Sequence, residues 1–358
     1  MKRAFLIDSE SVGGGMEYIR RQIASHPDDE AYVFTADRGE CTAASMNGWN
    51  ADIIHVNHLK ALLQLFRNPF RRPHGKVIFT VHGIHLRKYD FLPHTPMNRI
   101  KRSLRRSLER WLYHRCDRII ALTNTDAIDI KKLYGAELPI MVEPNVVDGS
   151  EFAAPSNLQY GADEFAFVCI ARFDFQKGQD ILLAAIARLQ NALRASGRRT
   201  LLIGDGATLE EMKRFAARNG IEDIVEFAGE IPDAGVYMTC GRTLVAPSRW
   251  EGMPYLMLEA VVRNRNVIAS DCPGNRDVLR DYPNARLFPG EDVAELSAAM
   301  EAAKLKRPCS IIGSRTCVAA RRFCARWAIC CRRPICSLTH ICLSSLEKRR
   351  AQTSGGIA

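Results

Sequence analysis

The hydrophobic positions of this chain fall into short continuous runs, separated by longer stretches with helical spacing. The first series is RAFLIDS (3–9), AYVFTA (31–36), ADIIHV (51–56), KVIFTVHG (76–83), DRIIALT (117–123) and PIMVEPN (139–145). The pattern restarts with EFAFVCIAR (164–172), TLLIGDG (200–206), IVEFAG (224–229), RTLVAPS (242–248) and NVIASDC (266–272). Runs of this length, rich in β-branched and aromatic residues and bounded by turns, read as strands buried on both faces, which is the habit of parallel sheets. Two such series with interleaved helices predict an α/β protein of two Rossmann-like, doubly wound domains. Pro, Gly, Ser and Asn accumulate in PNVVDGSEFAAPSN (144–157), which marks the join. The expected division is 1–148, 149–304 and a separate end segment, 305–358.

Composition changes this picture in one place. An apolar fraction of 47% with 25% charged residues is ordinary for a soluble globular protein and excludes a disordered chain. The net charge of +10 suggests nucleic acid or membrane until it is located. Residues 305–358 carry eleven Lys and Arg against one acid, Glu347, and the other 304 residues balance 39 bases with 39 acids. Seven of the twelve cysteines also lie in that last segment, with no C-x-x-C pair to suggest zinc. The tail is Arg- and Cys-rich without period, which reads as a shifted reading frame or degenerate, disordered end, or else as a basic membrane-adhering tail. No signal-peptide core follows the start, and no run reaches the ~18 to 20 apolar residues of a spanning helix. The expected location is cytoplasmic, and no nucleic-acid partner is expected.

In open α/β sheets ligands sit beyond the carboxyl ends of the strands, so two facing sheets place the site in the cleft between them. The strand-end candidates are Gly13 to Gly15, His82 with Gly83, Arg172 with Lys177, Gly204 to Gly206, and RWEGMPYLMLEA (249–260). In the last, Pro254 fits the first turn of a helix, where its missing N–H costs nothing. Glu251 then stands in the loop and Glu259 about two turns along the helix, roughly 8 to 12 Å away. The free N–H groups of the helix start lie between them and suit an anion. A ligand with hydroxyls at both ends and phosphate in the middle, such as a nucleotide sugar, matches that arrangement. Asp8 and Asp205 are read as structural.

The pattern E-G-x-P-x-x-x-x-E-A after a strand ending in P-S resembles the signature of retaining glycosyltransferases of family 4 (glycosyl transferases group 1), which have the GT-B fold. Supporting pieces occur in the family's order: the glycines at 13–15, V-H-G at 81–83, P-N-V-V-D at 144–148, A-R-F-D-F-Q-K-G at 171–178, G-D-G at 204–206 and A-S-D-C-P-G-N-R-D at 269–277. The resemblance covers about residues 3–304. It implies that Arg172 and Lys177 clamp the donor diphosphate, that Glu251 holds hydroxyls of the donor sugar, and that Glu259 holds the ribose. It further implies that N–H groups near Gly252 and Met253 meet phosphate, with Pro254 beside them in the donor site, that Gly14 and Gly15 admit the phosphate and sugar, and that His82 lines the reacting sugar. Family members retain anomeric configuration and generally use no metal, and the chain has no D-x-D triplet. The implied activity is hexosyl transfer from a UDP- or GDP-sugar to a glycan or lipid-linked acceptor, in cell-surface polysaccharide or lipopolysaccharide synthesis. An inactive nucleotide- or partner-binding member and a sugar-nucleotide epimerase are the alternatives. The chain departs from the family at Asp277, where a glutamate is commoner, and in its tail.

The first domain is compact, and the resemblance implies that it selects the acceptor. Within it MNRIKRSLRRSLERWLYHRC (97–116) sets Arg99, Arg102, Arg106 and Arg110 along one helical stripe, with Leu104, Leu108, Trp111 and Leu112 opposite or beside it. That pattern fits either an ordinary surface helix or a basic amphipathic helix resting on anionic lipid.

Overall fold

A computed structural model describes residues 1–9, 14–147 and 158–303, so the readings that fall on Gly13, on the centre of the join and on the tail lie outside the described residues. The first domain contains strands β1 (Lys2–Ile7), β2 (Glu30–Thr35), β3 (Ile53–Val56), β4 (Lys76–Val81), β5 (Arg118–Ala121) and β6 (Ile140–Val142). Between them run helices α1 (Gly14–Ala24), α2 (Ala43–Gly48), α3 (Leu59–Leu65), α4 (Pro96–Tyr113) and α5 (Asn124–Tyr134). The strands pair in parallel in the order β2-β1-β3-β4-β5-β6.

The second domain repeats the plan with β7 (Phe165–Ile170), β8 (Thr200–Ile203), β9 (Val225–Gly229), β10 (Gly241–Ala246), β11 (Asn266–Ser270) and β12 (Ala285–Phe288). Its helices are α6 (Gln179–Ala195), α7 (Leu209–Arg218), α8 (Tyr255–Val262), α9 (Pro273–Leu279) and α10 (Val293–Ala303). The order is β12-β11-β10-β7-β8-β9, again parallel. The continuous apolar runs have the reason given by the sequence: Phe5, Leu6, Ile54, Phe167, Val168, Leu201 and Leu202 are fully buried between helices on both faces.

Eleven runs became strands. The twelfth, β12, escaped the sequence reading because it is a short edge strand with Arg286 exposed in its middle. Strand order reverses beside β1 and β3 in one sheet and beside β7 and β10 in the other, and the crevices at those points face each other. An apolar cluster joins the halves, with Tyr18, Leu122 and Val147 of the first domain packed against Met253 and Met257 of the second. No helix among the described residues is long and apolar enough to cross a membrane.

Candidate active site

Both crevices open into one cavity of about 390 Å³, within the range of small-molecule sites. From the first domain it takes Asp8 after β1, Gly14 and Gly15 at the start of α1, Asn57 and His58 after β3, and His82 after β4. From the second come Arg172 and Lys177 after β7 and the loop Ser248 to Pro254 after β10. Nine of the ten expected site residues therefore line one space. Glu259 is the exception: it stands half-buried on α8, and its carboxylate approaches Gly235, where a Cβ would sit 2.3 Å from Oε2. Asp8, read as structural, lines the cavity, with its carboxylate 3.6 Å from Nε2 of His58.

The loop carrying Glu251 is held from every side. Arg249 before it is nearly buried, reaches Asp180 with two bonds of 2.7 and 3.0 Å and Glu291 with one of 2.8 Å, and stacks on Phe175. Such forked pairing fixes direction as well as distance. Gln176 donates to the Trp250 carbonyl at 2.8 Å. Pro254 occupies the N-cap position of α8 instead of its first turn, with extended ψ 124°, so the helix starts one residue later than expected. Glu251 is buried, with 7% of its surface exposed, and its Oε1 accepts from Nζ of Lys177 at 2.6 Å. Arg172 is exposed and is steered by Asp174, 2.7 Å from its Nε. Gly178, next to Lys177, lets the chain pass close to the strand end: it has φ 68°, and a Cβ there would lie 2.2 Å from the Pro247 carbonyl oxygen.

The first domain reaches into the same loop. Arg87 lies in the turn His85–Asp90; its Nη1 donates to the Glu251 carbonyl at 3.2 Å, and its Nη2 sits 2.9 Å from both Asp126 and Asp129. Asn145 donates to the Met253 carbonyl at 2.7 Å, and Thr125 donates to Asp277 at 3.0 Å. Asp277 thus bridges to α5 despite its shorter reach. At Gly252 the domains meet as backbone, since a Cβ would fall 2.2 Å from the His82 carbonyl oxygen; a Cβ on Gly274 would fall 2.0 Å from the Gly252 oxygen. Gly14 and Gly15 differ, because added Cβ atoms would meet only the side chains of Tyr255 at 3.6 Å and Ile7 at 3.3 Å.

His82 is oriented by neighbours the sequence did not disclose. Asn57 donates its amide to the His55 carbonyl at 3.1 Å, which turns Oδ1 toward Nε2 of His82 at 3.3 Å. That contact makes Nε2 the protonated nitrogen of the neutral ring and leaves Nδ1 as an acceptor. Tyr18 packs edge-on against both His55 and His82. Burial, with smaller repulsion from His58, pushes the His82 imidazole down to about 4; His55, deeper, is pushed to about 3 by burial first and then by His82. Both rings are neutral at physiological pH.

Two facing Rossmann-like sheets with a cleft lined from both define the GT-B architecture. Residues 13–151 match Glycosyltransferase Family 4 and residues 164–303 match Glycosyl transferases group 1, which together take in most of the chain. The chain belongs to this glycosyltransferase family, as its motifs implied. It is similar to 2-deoxystreptamine N-acetyl-D-glucosaminyltransferase of Streptomyces fradiae, 26% identical over 263 residues covering 70% of this chain and 62% of that protein. It is also similar to lipopolysaccharide core biosynthesis mannosyltransferase LpcC of Rhizobium leguminosarum bv. viciae, 28% identical over 203 residues covering 53% and 55%. Less than two thirds of each of these relatives is matched. HepE of Anabaena, solved with UDP and glucose, shares the fold with a TM-score of 0.70 at 20% identity, over 90% of this chain and 95% of that one.

Proposed function

We propose that the chain transfers a hexose-type sugar from a nucleotide-sugar donor to an acceptor hydroxyl with retention of configuration. The observation that carries this reading is the Lys177–Glu251 pair on the wall of a cavity that His82 and Gly14 enter from the other domain. Glu251 accepts hydroxyls of the donor sugar while Lys177 and Arg172 face its diphosphate. As the anomeric carbon–oxygen bond breaks, negative charge grows on the departing nucleoside diphosphate, and two positioned cations stabilise it. Nδ1 of neutral His82 accepts from a sugar hydroxyl, and the space before Gly14 and Gly15 takes the phosphate and sugar. Glu259 holds the ribose at the far end of the donor, beyond the cavity. The diphosphate charge is met by protein cations in this reading, without a metal.

The donor is a UDP- or GDP-sugar, a choice supported by the UDP and glucose of HepE. The acceptor is a glycan or lipid-linked hydroxyl in surface-polysaccharide synthesis, supported by the mannosyltransferase relative. A thermal-shift and turnover screen against UDP-, GDP- and ADP-sugars, with Glu259→Ala alongside, tests the proposal. Stabilisation by one donor, lost in the variant and accompanied by release of nucleoside diphosphate, is expected. Donor binding without turnover would favour a binding protein, and conversion of donor without acceptor an epimerase. No shift with any donor would overturn the reading.

A further inference from the structure

Of Leu104, Leu108, Trp111 and Leu112, helix α4 buries only Leu112. Its inward face consists of Glu109, Leu112 and Tyr113, with Arg105 and the Tyr134 hydroxyl satisfying the Glu109 carboxylate. Met97, Ile100, Leu104, Leu108 and Trp111 repeat at steps of three or four and form one continuous stripe that faces solvent. Leu104 is 67% exposed. Beside the stripe's end, the loop after α3 holds Phe70 at its tip with 95% of its surface exposed, between exposed Arg67, Arg71 and Arg72. Arg115 ties this loop to the helix: its guanidinium lies over both Trp111 and Phe66, and its carbonyl accepts from Arg72 at 3.3 Å. Five large apolar side chains in line with a sixth at a loop tip are more than the scattered exposure a folded surface shows by chance.

Charge decides what covers them. Along one edge of the stripe run two basic grooves in series, the first lined by His94, Arg99, Arg102 and Arg106, the second by Arg72, Arg110, His114 and Arg115. The helix has a single carboxylate, Glu109, and that one is fully buried. A second copy of this surface would bring like charges together, whereas an acyl-chain layer under anionic headgroups meets both the apolar line and the arginines.

We propose that α4 and the Phe70 loop form a docking surface for the anionic face of a lipid bilayer. Leu104, Leu108, Trp111 and Phe70 enter the acyl boundary, and the two grooves receive headgroup phosphates. Arg102 bonds Asp90 at 2.8 Å, which joins the helix to the turn that begins with cavity-lining His85 and carries Arg87 to the Glu251 loop. Docking thus brings the cavity's acceptor wall to the membrane, which deepens the transferase reading by placing its acceptor on a lipid-anchored chain, and rests on it to that extent.

The test is sedimentation of the full chain with phosphatidylcholine vesicles, with and without phosphatidylglycerol, beside Leu104→Glu and Arg99→Glu/Arg110→Glu. Binding should need the anionic lipid, and each variant should weaken it by about tenfold or more while leaving the melting temperature unchanged. Binding by wild type and variants alike would assign adhesion to another part of the chain and overturn the proposal. So would a wild-type dimer in ultracentrifugation that Leu104→Glu dissolves. Nucleoside-diphosphate release from a soluble donor, measured without vesicles, tests the transferase reading separately, because no variant touches the cavity.

Discussion

Nζ of Lys177 lies 2.6 Å from Oε1 of Glu251, although 74 positions separate them in the chain. Each is the other's charge partner before any donor arrives, so neither must be desolvated afresh when the sugar and diphosphate enter. Glu251→Gln keeps the shape and removes the charge. Turnover should fall by about 100- to 1000-fold, from the loss of one preorganised polar contact at the reacting centre. Stability should fall by only about 1 to 2 kcal/mol, since Lys177 is 22% exposed and water can replace the partner. Initial-rate kinetics and a thermal melt on the same preparation check both numbers.

Glu259 presents a different test, because Gly235 sits against it. Gly235→Ala would put a methyl 2.3 Å from the carboxylate oxygen, and the flexible end of the glutamate will move aside. If this carboxylate holds the ribose, nucleoside diphosphate should bind about tenfold more weakly in calorimetry with little change in melting temperature. Unchanged affinity would show that the carboxylate has no part in holding the nucleotide.

Arg87 connects the domains through charge. Arg87→Met leaves Asp126 fully buried without its cation and should cost about 3 to 5 kcal/mol. Adding Asp126→Leu removes the stranded carboxylate and should restore most of the stability. Turnover should stay low in the double variant, because the Glu251 carbonyl still lacks its donor. Recovery of both together would mean that Arg87 serves folding alone.

Acid should loosen the molecule through its imidazoles. The ordinary histidine value is 6.5, and His82 and His55 are depressed to about 4 and about 3. Their contribution is present above 6.5 and is lost as pH falls through those values, because the unfolded chain binds the protons first. Asp126 works the other way: burial, opposed by Arg87, raises it to about 6, so its contribution holds at acid pH and fades as pH rises through 6. Burial depresses His85 to about 4 as well, and these imidazoles outweigh Asp126, which predicts a melting temperature that drops between about pH 7 and pH 5. His82→Gln should flatten that slope, which melts across the range would reveal.

Much of this architecture was legible in the chain because parallel strands buried on both faces announce themselves as apolar runs, and turn residues mark the site loops. β12 was not, since the exposed Arg286 interrupts its four residues and leaves no continuous apolar run. The lining of the cavity was legible where neighbours in the chain supply it together, as from Glu251 to Pro254. It was hidden where folding alone creates the contact. Arg87 reads as one more surface charge in HLRKYD, and its acceptor is 164 residues away. Asn57 and Tyr18 gain meaning only once β3 and α1 stand beside His82. The orientation of α4 was open for the same reason: periodicity defines a stripe but does not say which way the helix is turned.

The backbone stack of His82, Gly252 and Gly274 also limits how this sequence can drift. A methyl at 252 or 274 would land on a carbonyl oxygen that has no flexible end to yield. In a library of all single substitutions, these two positions should accept glycine alone, while Gly48 and Gly290, with nothing within 4 Å, should accept almost anything. The walls of the cleft are free to change with the acceptor; the seam between them is not.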